Sequence, residues 1–235
     1  VYGTLASPST GLTHNWIVVY PPGSSVKAKL PVVIVLHGAG DTFDALNHLD
    51  YHVHLGEAVR AGVRPFALAA IDGGLLFWQK LNGQDAGALV ATDFLGLLAA
   101  RGLDTSRLAL TGWSMGGWGT LRLAGNELAG KLRAIAPIST PLYPDAAAAP
   151  ERWMTDAEFA ANNPYTHPQW AAGLPLWLAC GTSDQFYPGN VSFTAILGRT
   201  PGVLPPQTHF TAGGHDFTFW ESIAADQFRF LGEHL

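Results

Sequence analysis

The sequence predicts an α/β protein with a mostly parallel central sheet and helices on both of its faces. Three observations carry this: short apolar, β-branched runs recur along the chain, helical stretches lie between them, and only 13% of the 235 residues are charged against 48% hydrophobic. A strand that is apolar at every position is buried on both faces, and strands alternating with helices are the pattern of a parallel sheet.

In order, the strand candidates are 15–20 (NWIVVY), 32–37 (VVIVLH), 66–72 (FALAAID), 108–113 (LALTGW), 132–139 (LRAIAPIS), 174–181 (LPLWLACG) and 207–212 (QTHFTA). Helical spacing fills 43–61, 85–101, 116–129 and 216–235. In the second of these Leu89, Asp93 and Leu97 recur at helical intervals and Gly102 stops the helix. Segment 140–172 breaks the alternation, being rich in Pro, Ala, Asn and Trp. A long excursion between two strands reads as a small cap over a site. At this length one core can bury roughly 70 to 75% of the unfolded surface, so a single domain over 1–235 is expected.

Charge and composition remove several partners. The net charge is −5, from 13 Lys+Arg against 18 Asp+Glu, and no basic run offers a footprint for nucleic acid or anionic lipid. Apolar stretches such as 32–36 and 66–71 are far too short to span a bilayer. Cys180 is alone, which excludes an internal disulfide and a cysteine-based zinc site. The chain opens at Val1 with no charged-then-apolar leader and reads as a processed or truncated form. Export after removal of a leader is the expectation, with the cytoplasm as the alternative.

The strongest motif is Gly112-Trp113-Ser114-Met115-Gly116, directly after strand 108–113 and opening a helix at Gly117. A turn this tight holds its middle residue at strained backbone angles and presents the hydroxyl at the carboxyl edge of the sheet. Flanking glycines permit the close approach. The pattern is common by chance, and its strand-turn-helix context is what makes Ser114 the candidate nucleophile. A bare glycine turn is the competing reading.

A serine hydroxyl needs a base, and the base needs an orienting acid; in this architecture they follow in the order Ser, acid, His. His215, after Gly213-Gly214 in the loop beyond the last strand, is the candidate base, whereas His209 lies inside that strand. Strand 174–181 ends in Gly181-Thr182-Ser183-Asp184, so Asp184 is the candidate acid, with a turn-capping role as its bland reading. Asp145 is the alternative acid, and Asp216 is too close in sequence to His215 to turn back. The oxyanion hole needs two backbone donors. Met115 N–H supplies one, and the loop His37-Gly38-Ala39-Gly40 supplies the other through Ala39 N–H. His37 in that position reads as a loop brace.

These residues, with "RLALTGWSMGGWGTLRLAG" (107–125), "VIVLHGAG", "CGTSDQF" and "GGHDFTFW", resemble the serine-esterase family that includes esterase D (S-formylglutathione hydrolase) and the mycobacterial mycolyltransferases. The resemblance spans roughly 30–235. It implies an α/β-hydrolase fold, no metal, and ester hydrolysis or acyl transfer through an acyl-serine. "IDGGLLFWQK" (71–80) resembles a strand-end motif of bacterial members that are commonly exported.

Asp72-Gly73-Gly74 falls on the same rim, where Asp72 either orients Trp78 or a polar substrate group or merely makes a turn. Phe77, Trp78, Trp113, Phe186 and Trp220 flank rim motifs and are candidate walls of an acyl or aryl pocket, each with a core role as its alternative. His48, His52 and His54 near Asp44 and Asp50 raise a metal site, but no HExxH pattern is present and solvated helix histidines are the plain reading. No cofactor and no metal are expected. The expected activity is a serine carboxylesterase acting on a small-molecule or lipid-like ester with an apolar acyl group. The alternatives are an acyltransferase using a sugar or other alcohol, a peptidase or lipase on the same triad, and a non-catalytic binding protein on a hydrolase scaffold.

Overall fold

In the computed structural model, which describes residues 1–24, 28–149 and 153–235, the strands are β1 (Tyr2–Ala6), β2 (Thr13–Val19), β3 (Pro31–Leu36), β4 (Ala67–Ile71), β5 (Lys80–Leu81), β6 (Gln84–Asp85), β7 (Asp104–Trp113), β8 (Leu132–Ile138), β9 (Trp177–Gly181) and β10 (Gln207–Thr211). The helices among these residues are α1 (Ala45–His48), α2 (Tyr51–Arg60), α3 (Ala86–Ala88), α4 (Leu95–Ala100), α5 (Met115–Gly125), α6 (Asp156–Asn162), α7 (Tyr187–Leu197), α8 (Phe217–Ser222) and α9 (Ala224–His234). Eight strands form one sheet in the order β1-β2-β4-β3-β7-β8-β9-β10. From β4 to β10 every pairing is parallel, while β1 and β2 add an antiparallel edge. β5 and β6 make a separate hairpin.

The fully apolar strands are central because both of their faces are covered. Successive side chains of a strand point to opposite faces. In β3, Val32, Ile34 and Leu36 therefore enter one core with Leu89, Leu121 and Phe193, while Val33 and Val35 enter the other with Leu55, Phe219 and Phe228. Burying each such aliphatic side chain favours folding by roughly 1.5 to 3 kcal/mol before entropy is subtracted. α2, α8 and α9 cover one face; α4, α5 and α7 cover the other.

Several elements differ from the sequence reading. β1 went unread because it is an edge strand whose side chains alternate between exposed and half-buried, which leaves no apolar run. α7 went unread because Pro188 and Gly189 stand near its start; proline there is tolerated at the first turn, where its missing N–H is not needed. The helical stretch 85–101 contains a π segment over Leu89–Phe94. The interval 140–172 holds α6, started by a capping box between Thr155 and Glu158, and two short 3-10 turns at Pro164–Thr166 and Pro168–Ala171. Residues 150–152 of that interval lie outside the described residues.

Candidate active site

β7 ends at Trp113 and α5 begins at Met115, so the whole turn is Ser114, held at φ 55° and ψ −122°. That left-handed conformation is costly for a side-chain-bearing residue and persists only where neighbours fix it. Here the fixing comes from β3. A Cβ on Gly112 would stand 2.5 Å from the Leu36 carbonyl oxygen, and one on Gly116 would collide with the same carbonyl. Only glycine at both positions lets the turn close against the neighbouring strand. The Ser114 amide is tied to the Ile138 carbonyl of β8 at 2.9 Å.

The loops after β9 and β10 bring two more groups to this edge. His215 Nε2 lies 3.0 Å from Ser114 Oγ, and His215 Nδ1 lies 2.9 Å from Asp184 Oδ2. The second contact assigns the ring proton, because an ionised carboxylate only accepts: Nδ1–H donates to Asp184, leaving Nε2 free to accept the serine proton. The two loops meet backbone to backbone. Ser183 N–H donates to the Gly213 carbonyl at 2.9 Å, and a Cβ on Gly181 would collide with that carbonyl.

Asp184 is 4% exposed. Burial alone would raise its pKa, but hydrogen bonds from His215, the Phe186 amide and the Ser139 hydroxyl, together with the His215 charge, outweigh it and hold the carboxyl below the usual value. Trp220 supports the same group from behind, its indole N–H donating to Ser139 Oγ at 3.0 Å and its ring meeting the His215 ring edge-on at 5.1 Å. Cys180, beneath Asp184, is buried, and that burial with the Asp184 charge pushes its thiol pKa upward.

Ser114 and His215 open into a cavity of about 330 Å³. Ala39 and Met115 border it beside the serine, and Phe77, Trp118, Tyr143, Trp153, Phe159 and Phe186 supply aromatic wall. Segment 140–172 contributes Tyr143, Trp153, Met154 and Phe159 to the cavity lining. Trp118 was missed by the sequence reading, although its signal was available: it lies one helical turn after Ser114, hence on the same face of α5.

Several expected residues fall elsewhere. Trp78 and Trp113 are each 0% exposed and Trp220 is 5% exposed, and none of the three borders the cavity. Trp113 points to the face of β7 covered by α2 and α9, with its indole N–H on Asp41 at 2.9 Å; Trp78 lies under α5, where a Cβ on Gly119 would meet its ring. Asp72 neither orients Trp78 nor faces the cavity. Its carboxylate accepts the Phe43 amide at 2.7 Å and the Asn15 amide at 3.1 Å, while Trp78 N–H goes to the His37 carbonyl. Among the remaining polar residues, Asp145 accepts the Ala148 amide, Asp216 caps α8 through the Phe219 amide, and His209 stands 3.8 Å from Asp226.

His37 is a brace. Its Nδ1–H donates to the Gly38 carbonyl and its Nε2 accepts the Gly73 amide, so the ring is the neutral Nδ1–H tautomer; burial is the main cause of its lowered pKa. His48 faces Asp44, and His54 faces Glu57 and Glu221. Among the described residues no three His, Cys, Asp or Glu side chains are grouped to hold a metal ion. No helix of these residues is long and apolar enough to cross a membrane.

The sheet order, the strained turn after β7 and the loops after β9 and β10 define the α/β-hydrolase fold, and solved structures agree. A ferulic acid esterase superposes with a TM-score of 0.85 at 20% identity, over 100% of this chain and 98% of its own. The fluorophosphonate-binding serine hydrolase F of Staphylococcus aureus gives 0.80 at 19%, over 99% and 97%. An S-formylglutathione hydrolase of Agrobacterium tumefaciens gives 0.77 at 17%, over 100% and 94%. No family model and no curated protein matches the chain.

Proposed function

We propose that residues 1–235 form a single serine carboxylesterase domain, capped by segment 140–172, that hydrolyses esters with an apolar acyl group. The observation that carries this reading is one imidazole at hydrogen-bond distance from both Ser114 Oγ and the buried Asp184 carboxylate. His215 Nε2 takes the serine proton as Oγ attacks the ester carbonyl. Asp184 holds the ring in its tautomer and stabilises the imidazolium. The amides of Ala39 and Met115 receive the negative charge on the carbonyl oxygen, an interaction in which losing one donor typically costs on the order of 3 kcal/mol in the barrier. His215 returns the proton to the leaving alcohol, and a water activated by the same base releases the acid from Ser114.

The apolar, aromatic lining of the cavity supports an apolar acyl group. The likeness to a ferulic acid esterase supports an ester as the substrate. A fluorophosphonate probe tests the reading directly: wild type should be labelled and Ser114→Ala should not. Labelling that persists in the variant overturns it. Turnover across p-nitrophenyl esters of increasing acyl length, with and without added alcohols, then separates hydrolysis from acyl transfer. Export is also proposed, supported by the resemblance of 71–80 to exported bacterial proteins, and fractionation of the producing cells checks it.

A further inference from the structure

We propose that Arg122 is a positioning residue that fixes the width of the cavity and thereby the preference between bulky and small acyl groups; this rests on reading the cavity as the acyl site. Arg122 lies on α5, only 7% exposed, one helical turn beyond Trp118. The two side chains therefore leave the helix on the same face. Trp118 forms part of the cavity wall, and two further wall residues pack on its ring: Phe77 at 6.0 Å and Phe159 at 5.3 Å between centroids.

The Arg122 guanidinium is bonded beside each of those partners. Nη1–H donates to the carbonyl of Trp78, the residue after Phe77, at 3.1 Å. Nε–H donates to Oδ1 of Asn162, one turn along α6 from Phe159, at 2.6 Å. Glu127 closes the arrangement with a two-pronged pair to Nη1 and Nη2, both at 2.8 Å. A planar guanidinium has five donors in a fixed fork, so it sets the spacing of α5, the 77–79 turn and α6 at once. An apolar side chain would fill the same space without fixing those distances. The glycine at 87 belongs to the same arrangement, since a Cβ there would collide with the Glu127 carboxylate.

The test compares kcat and KM for p-nitrophenyl acetate and p-nitrophenyl octanoate in wild type, Arg122→Met, Asn162→Ala and Asn162→Asp. Arg122→Met and Asn162→Ala should lower kcat/KM for the octanoate by about ten-fold relative to the acetate, mainly through KM. Asn162→Asp keeps an acceptor for Nε–H and should retain the wild-type ratio. Removing Arg122 strands a partly buried Glu127 carboxylate, so that variant can fail to fold; the Asn162 pair leaves the ion pair intact and decides alone. A parallel fall in both esters in Asn162→Ala, or equal ratios in the two Asn162 variants, overturns the proposal. If wild type turns over neither ester, the esterase reading is what fails.

Discussion

His37 Nε2 accepts the Gly73 amide at 2.9 Å, joining the loop that follows β3 to the loop that follows β4. Because Nδ1–H is committed to Gly38, the ring has no lone pair left for a proton, and protonation must break the link between the loops. Burial is the larger influence on this histidine, and the Gly38 carbonyl and the Asp72 and Asp41 charges offset it only in part, so its folded pKa lies below 6.5. The unfolded chain therefore binds this proton more readily. The stability His37 confers is complete above about pH 6.5 and is lost as pH falls from there through the lowered folded value. His37→Gln can accept the Gly73 amide but does not titrate. Urea midpoints from about pH 8 to about pH 5 should fall more steeply for wild type than for the variant, and parallel curves would refute the account.

Asp184→Asn should leave the fold intact and lower kcat by about 10⁴, because an amide can donate to Nδ1 and so turns the His215 proton to the wrong nitrogen. Single-turnover kinetics with an active p-nitrophenyl ester is the check. A fall of less than about ten-fold would mean that another group orients the base.

Gly116→Ala should be destabilising on the order of 3 kcal/mol, since the new methyl is driven into backbone of β3 that cannot move without displacing the sheet. Thermal melting compares it with Gly96→Ala, where nothing lies within 4 Å of the added carbon and the change should be neutral or favourable. Similar melting temperatures for the two variants would contradict the close approach.

Trp153 is 46% exposed yet borders the cavity and meets the Phe77 ring at 6.2 Å. Trp153→Ala should change stability by less than about 0.5 kcal/mol while lowering kcat/KM for long acyl esters by about ten-fold and sparing the acetate. An unchanged acyl-length profile would remove Trp153 from the substrate's surroundings.

The sequence made Ser114 and Asp184 readable as candidates because each follows the end of an apolar strand, a local feature, whereas the strand before His215 is polar and His215 was reached through the chain order Ser, acid, His. β3, β4 and β9 were readable for a related reason, since burial on both faces leaves an unbroken apolar run. What sequence could not resolve was direction across the sheet. Trp113 adjoins Ser114 in the chain, yet the period of two sends its ring to the opposite face, into the core with Phe228. Trp78 and Trp220 were misplaced for a similar reason: a rim motif says where the backbone goes, and packing decides where a ring turns. The walls contributed by Tyr143, Trp153 and Phe159 come from an interval with no periodicity, and only the folded chain brings them over Ser114.

The Gly181 and Gly213 loops touch through main chain, as do Gly116 and β3, so the spacing of Ser114, Asp184 and His215 rests on close main-chain contacts. Segment 140–172 reaches the same cavity with Tyr143, Trp153 and Phe159. A library confined to Tyr143, Ala146, Ala149, Trp153 and Phe159 can therefore search for new acyl preferences while Ser114, Asp184 and His215 stay where the main chain holds them.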